Sequence, residues 1–118
     1  MGTFTIDISI SDQQNQTSEQ VEALVDTRAT NTVLPAELLQ RLGIRPHRRS
    51  VFQLADGREV ELDIGRAWVR VDGQQEFTQV VFGPQGTQPI LGAITLEEMN
   101  LSVDPIGQRL IPVNRYLM

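Results

Sequence analysis

A chain of 118 residues and 13.2 kDa is long enough for one domain with a single modest core. It has no cysteine and one histidine, His47, which excludes disulfide scaffolds, cysteine nucleophiles, thiolate metal sites and multi-histidine metal sites. Ten basic against fifteen acidic residues give a net charge of −5, so a nucleic-acid backbone is a poor partner. No apolar run approaches the roughly 18 residues of a membrane span. The opening MGTFTIDISI has no basic stretch ahead of its apolar one, so it does not read as a secretory leader, and the expected location is cytoplasmic.

Residues 3–10 alternate, with Phe4, Ile6, Ile8 and Ile10 on one face, and predict a half-buried strand. The polar stretch 11–19 reads as a long hairpin loop, and residues 20–25 as the returning strand, which ends at Asp26. After a polar turn over 27–31 and a short extended piece over 32–34, residues 35–42 predict the main helix. Pro35 stands in its first turn, Leu38, Leu39 and Leu42 lie on one side, and Gly43 is its stop. Arg45, Arg48 and Arg49 around His47 read as a solvated loop.

From Ser50 onward the chain reads as strands. Residues 51–54 and 59–64 flank Ala55-Asp56-Gly57, and residues 67–71 and 77–82 flank Asp72-Gly73, two hairpin signals. Glu59, Glu61 and Asp63 form a solvated face, and Trp68 reads as a packing residue. A Gly- and Pro-bearing loop over 83–88 precedes the short apolar strand Pro89-Ile90-Leu91-Gly92. Residues 95–100 predict a short helix capped by Thr95, and 101–104 with 109–113 a last hairpin. About seven to nine short strands with two helices predict one all-β domain over 1–118, a small closed or folded-over barrel.

The stretch most able to carry chemistry is Ala23-Leu24-Val25-Asp26-Thr27-Arg28-Ala29-Thr30. It sets an acid at the end of an apolar strand, beside hydroxyls that can orient a carboxylate. Taken alone, it reads first as an ordinary strand-ending Asp-Thr turn, since both residues are common turn formers. The stretch resembles the active-site motif of retroviral-type (retropepsin-like) aspartic proteases, in which two apolar residues precede Asp-Thr/Ser-Gly-Ala-Thr/Ser. The resemblance continues in order through Val33-Leu34-Pro35, Leu54-Ala55-Asp56-Gly57-Arg58, Pro89-Ile90-Leu91-Gly92 and the closing hairpin, covering about residues 21–113.

The resemblance implies a retropepsin-like closed β-barrel with one main and one short helix. It implies one catalytic aspartate per chain, Asp26, paired with its twin in a symmetric homodimer. Two close carboxylates share a proton, so one can activate water while the other polarises a peptide carbonyl. Thr27 would be the buried hydroxyl that braces the dimer. Arg28, Ala29, Ala55, Asp56 and Gly57 would contact a peptide or protein substrate, the last three at the tip of a flap hairpin. No metal or cofactor is implied. The terminal segments 3–10 and 109–118, with Tyr116, Leu117 and Met118, are candidates for the dimer sheet.

Arg28 departs from the family, which has glycine there. A guanidinium beside the acid favours the ionised carboxylate, which has no proton to donate, and its bulk can fill a cleft. Three readings stay open: an active endopeptidase whose Arg28 points away or prefers acidic residues, a non-catalytic dimeric peptide-binding module of the same fold, or an inactivated variant, natural or introduced. An unrelated small β-barrel interaction domain is a further alternative.

Overall fold

The computed structural model describes residues 3–114. Strand β1 (Phe4–Ser11) pairs with β2 (Ser18–Val25) along its length, from Phe4 opposite Val25 to Ser11 opposite Ser18. Ile8 and Ile10 are buried, and Phe4 and Ile6 pack against the same core, as the alternation predicts. The loop between the strands is shorter than its polar sequence suggests, because Asp12 organises it. Its Oδ1 accepts the backbone N–H groups of Gln16 (2.7 Å) and Thr17 (3.1 Å), so both strands run close to the turn.

Strand β3 (Thr32–Pro35) leads directly into α1 (Ala36–Arg41). Pro35 is extended at ψ 134° and caps the helix rather than standing in its first turn. Leu38, Leu39, Leu42 and Ile44 are buried, and Gly43 at φ +77° supplies the left-handed residue that ends the helix.

Strands β4 (Arg48–Gln53), β5 (Glu59–Val71) and β6 (Gln74–Gly83) form an antiparallel meander through the two predicted hairpin turns. Two corrections follow. Arg48 and Arg49 belong to β4, not to a loop, because Arg49 bridges across to Asp63 (3.0 Å) and Glu61 (3.5 Å) of β5. Strand β5 is continuous where the sequence suggested two pieces separated at Gly65. That glycine serves close packing: a Cβ there would stand 3.0 Å from the Arg45 carbonyl oxygen and from a ring carbon of Phe82.

The chain ends its described part with β7 (Ile90–Leu91), α2 (Ala93–Glu98), β8 (Leu101–Asp104) and β9 (Arg109–Pro112). Both helices have six residues, so neither dominates. The main sheet has the order β1-β2-β7-β3-β6-β5-β4, and β1 also pairs with β5, so the sheet folds back on itself around the core. The fold is all-β, as expected.

The β8–β9 hairpin forms a separate two-stranded sheet. Its turn is held by Asp104, whose carboxylate accepts the N–H groups of Ile106 (3.1 Å) and Gly107 (3.2 Å) and the Arg109 side chain (3.2 Å). The Gly107 amide first, and then Arg109, hold that carboxyl below its ordinary value. Tyr116, Leu117 and Met118, expected in a dimer sheet, lie outside the described residues. No helix among the described residues is long and apolar enough to cross a membrane.

Candidate active site

Residues 26–31 form the loop between β2 and β3. Strand β7 inserts between these two strands, parallel to β2 and antiparallel to β3. The insertion fastens the loop by its backbone. The Asp26 N–H donates to the Leu91 carbonyl (3.2 Å), while the N–H groups of Ala93 and Ile94 donate to the carbonyls of Ala29 (2.8 Å) and Thr30 (3.0 Å). The first amides of α2, which have no partner inside the helix, thus find acceptors in the site loop.

Thr95 is therefore not the cap of α2. The helix starts two residues earlier, at Ala93, with Gly92 as N-cap, and Thr95 is fully buried. Its hydroxyl lies 2.6 Å from that of Thr32 and 3.1 Å from that of Thr78, while Thr78 donates to Glu98 (2.6 Å) and the Gly92 N–H donates to Thr32 (3.1 Å). Each hydroxyl has one proton, which fixes the direction of the whole chain. Thr78 spends its proton on Glu98, so Thr95 donates to Thr78, and Thr32 donates to Thr95. The sequence offered no signal for this network beyond threonines at dispersed positions.

Asp26 sits at the mouth of the loop with its side chain 21% exposed. Its Oδ1 accepts the backbone N–H of Arg28 (3.0 Å), and the Arg28 Nε lies 3.6 Å from the same oxygen. The Arg28 side chain is 79% exposed. Asp26, Thr27 and Arg28 share a cavity of about 370 Å³ with Phe4 and Val103. Thr27 is exposed in the single chain, so the buried hydroxyl that the resemblance implies would need a second chain to cover it.

Ala29 faces elsewhere. With Asn31, Val33, Phe52, Leu54 and Leu62 it lines a second, almost wholly apolar cavity of about 430 Å³. Ala55, Asp56 and Gly57 occupy the tip of the β4–β5 hairpin and line neither cavity; all three are exposed. The tip is closed on itself. Gly57 takes φ +89°, and Asp56 accepts the Arg58 N–H (3.0 Å) and its Nε (2.7 Å). The Arg58 amide, then its side chain, hold the Asp56 carboxyl below the usual range.

The sequence reading missed Phe52, Leu54, Asn31 and Val33 as cavity residues. The period-two spacing of Phe52 and Leu54 was the available signal. Asn31 is also held: Gln79 donates to its Oδ1 (3.0 Å) and accepts from Arg48 (3.2 Å). Among the described residues no group of three His, Cys, Asp or Glu could hold a metal ion. What the arrangement offers is one carboxylate and one guanidinium at a cleft, beside an apolar pocket.

Residues 13–98 match the family described as "gag-polyprotein putative aspartyl protease". The fold resembles EIAV protease in complex with the inhibitor HBY-793, at 20% identity over 93% of each chain with a TM-score of 0.60. It resembles the retroviral protease-like domain of Ddi1 from Leishmania major, at 21% identity over 94% of this chain and 90% of that one, TM-score 0.59. A retropepsin-like aspartic protease from Rickettsia conorii is similar at 18% identity over 88% of this chain and 89% of that one, TM-score 0.53. No curated protein matches the sequence.

Proposed function

The chain belongs to the gag-polyprotein aspartyl protease family, and from that premise we propose that it is an aspartic endopeptidase acting as a homodimer, with Asp26 of each copy forming the catalytic pair. The observation that carries the reading is the placement of Asp26, which follows the apolar end of β2 at the mouth of a cleft and is fastened through its backbone by β7. A rigid support of this kind holds a reacting group in position. Because each chain supplies one such acid, a two-fold axis through the cleft would bring two together. The pair would share one proton. One carboxylate would then take a proton from water as it attacks the peptide carbonyl, while the other donates its proton to the carbonyl oxygen.

In this reading the peptide lies between the loop and the β4–β5 hairpin. Ala29, with Phe52 and Leu54, receives an apolar side chain in the second cavity. Ala55, Asp56 and Gly57 at the hairpin tip close over the peptide from above. Thr27, exposed in one chain, becomes buried against its counterpart.

One observation favours a second reading. The Arg28 guanidinium lies 3.6 Å from Asp26 and lines the same cavity, where its bulk takes up room that water and a peptide carbonyl need, so the same dimer could bind peptides without cutting them. Incubation with a mixed peptide pool, read by mass spectrometry from acid to neutral pH, separates the two. We expect cleavage in the wild type that falls at least about 1,000-fold in Asp26→Asn, which keeps the shape and removes the acid. Equal fragment yields from the two proteins would leave the binding module as the reading.

A further inference from the structure

We propose that Arg28 is a specificity-determining residue, whose guanidinium recognises an acidic side chain of the bound peptide. The inference rests on the proposed reading of the cleft as a peptide site. Arg28 makes the loosest ion pair of its kind in the described chain. Arg58, Arg41, Arg49 and Arg109 each approach a carboxylate at 2.7, 2.8, 3.0 and 3.2 Å, whereas Arg28 stands 3.6 Å from Asp26. Its nearest approach, from Nε, is at a length beyond a hydrogen bond. The two terminal nitrogens, which carry four of the five donors, make no hydrogen bond to the described residues, and the side chain is 79% exposed, which suits a planar, bidentate contact with a carboxylate.

Position gives this charge its role. Arg28 lines the same cavity as Asp26 and Thr27, so a peptide reaching the acid passes the guanidinium. The next residue, Ala29, opens into the apolar cavity with Phe52 and Leu54. A chain laid across the loop would therefore set one side chain against a cation and a neighbouring one in an apolar pocket. Charge arithmetic points the same way. In the dimer, two Asp26 sharing a proton carry one negative charge and two Arg28 carry two positive charges. The cleft is then net positive, although each chain carries −5 overall. A neutral or basic peptide gains nothing from that local field, and an acidic one is drawn into it.

Affinity selection tests this without relying on cleavage. Asp26→Asn protein is immobilised and offered a peptide pool from a digested proteome, and retained peptides are sequenced by mass spectrometry. We expect Asp and Glu to be enriched about threefold over the input, the size suited to a partly screened ion pair, with the enrichment fading in high salt. Arg28→Gln in the same background should retain peptides without the enrichment, and Arg28→Glu should turn the preference toward Lys and Arg, an outcome misfolding does not produce. Acidic enrichment that survives in both Arg28 variants would overturn the proposal while leaving the peptide site standing. Retention of no peptide by any of the proteins would overturn both.

Discussion

A methyl group at Gly92 would sit 2.4 Å from the carbonyl oxygen of Asn31 and 3.0 Å from that of Ala29. Both contacts are with backbone, which has no rotamer to yield. Gly92 follows β7 at the point where the chain passes beneath the site loop, so any side chain there pushes on the segment that holds Asp26. We expect Gly92→Ala to lose about 3 kcal/mol or more of stability in urea denaturation, or to yield no folded protein. A variant within about 0.5 kcal/mol of wild type would mean that the loop and β7 move apart easily. Arg28 is the opposite case. It stands where the resemblance of the sequence implies glycine, yet its backbone is outside the left-handed region that only Asn15, Asp72, Asn100 and Gln108 adopt among non-glycine residues described. The loop accepts a side chain there without backbone strain.

At the scale of elements, the site depends on α2 and β7 more than on the strands that flank it. The three threonine hydroxyls run in one direction from the Gly92 amide to Glu98, and each is satisfied only while its neighbours are. Thr95→Val keeps the shape and removes the middle link, so Thr32 loses its buried acceptor and Thr78 its donor. The expected cost is about 2 kcal/mol, measured by urea denaturation. Glu98→Gln keeps an acceptor for Thr78 and should stay within about 0.5 kcal/mol of wild type. A neutral Thr95→Val would show that the network adds nothing to the site's support.

The elements also show where sequence reading reaches. The alternation in β1 and the Asp56-Gly57 and Asp72-Gly73 turns were legible, because a period of two and a left-handed glycine are local signals. Asp26 at the end of an apolar strand was legible for the same reason. The position of β7 was not. Two residues long, it owes its place to pairing with Leu24, Val25 and Val33 far along the chain. Thr95 read as a cap because threonine favours that position, but the amides of α2 had already been claimed by loop carbonyls. The tip residues Ala55, Asp56 and Gly57 drew attention as a turn, whereas the cavity is lined lower on the same hairpin, by Phe52 and Leu54.

For the whole molecule, the account turns on arithmetic. One chain presents one Asp26 at its cleft, and the proposed chemistry needs two carboxylates that share a proton. Activity should therefore belong to pairs of chains. Wild-type protein mixed with Asp26→Asn, unfolded together and refolded so that subunits pair at random, tests this directly. If both members of a pair must carry the acid, peptide cleavage falls as the square of the wild-type fraction, so an equal mixture keeps about one quarter of the activity at the same total concentration. A linear fall, with about one half retained, would mean that each chain cuts alone and would contradict the paired site.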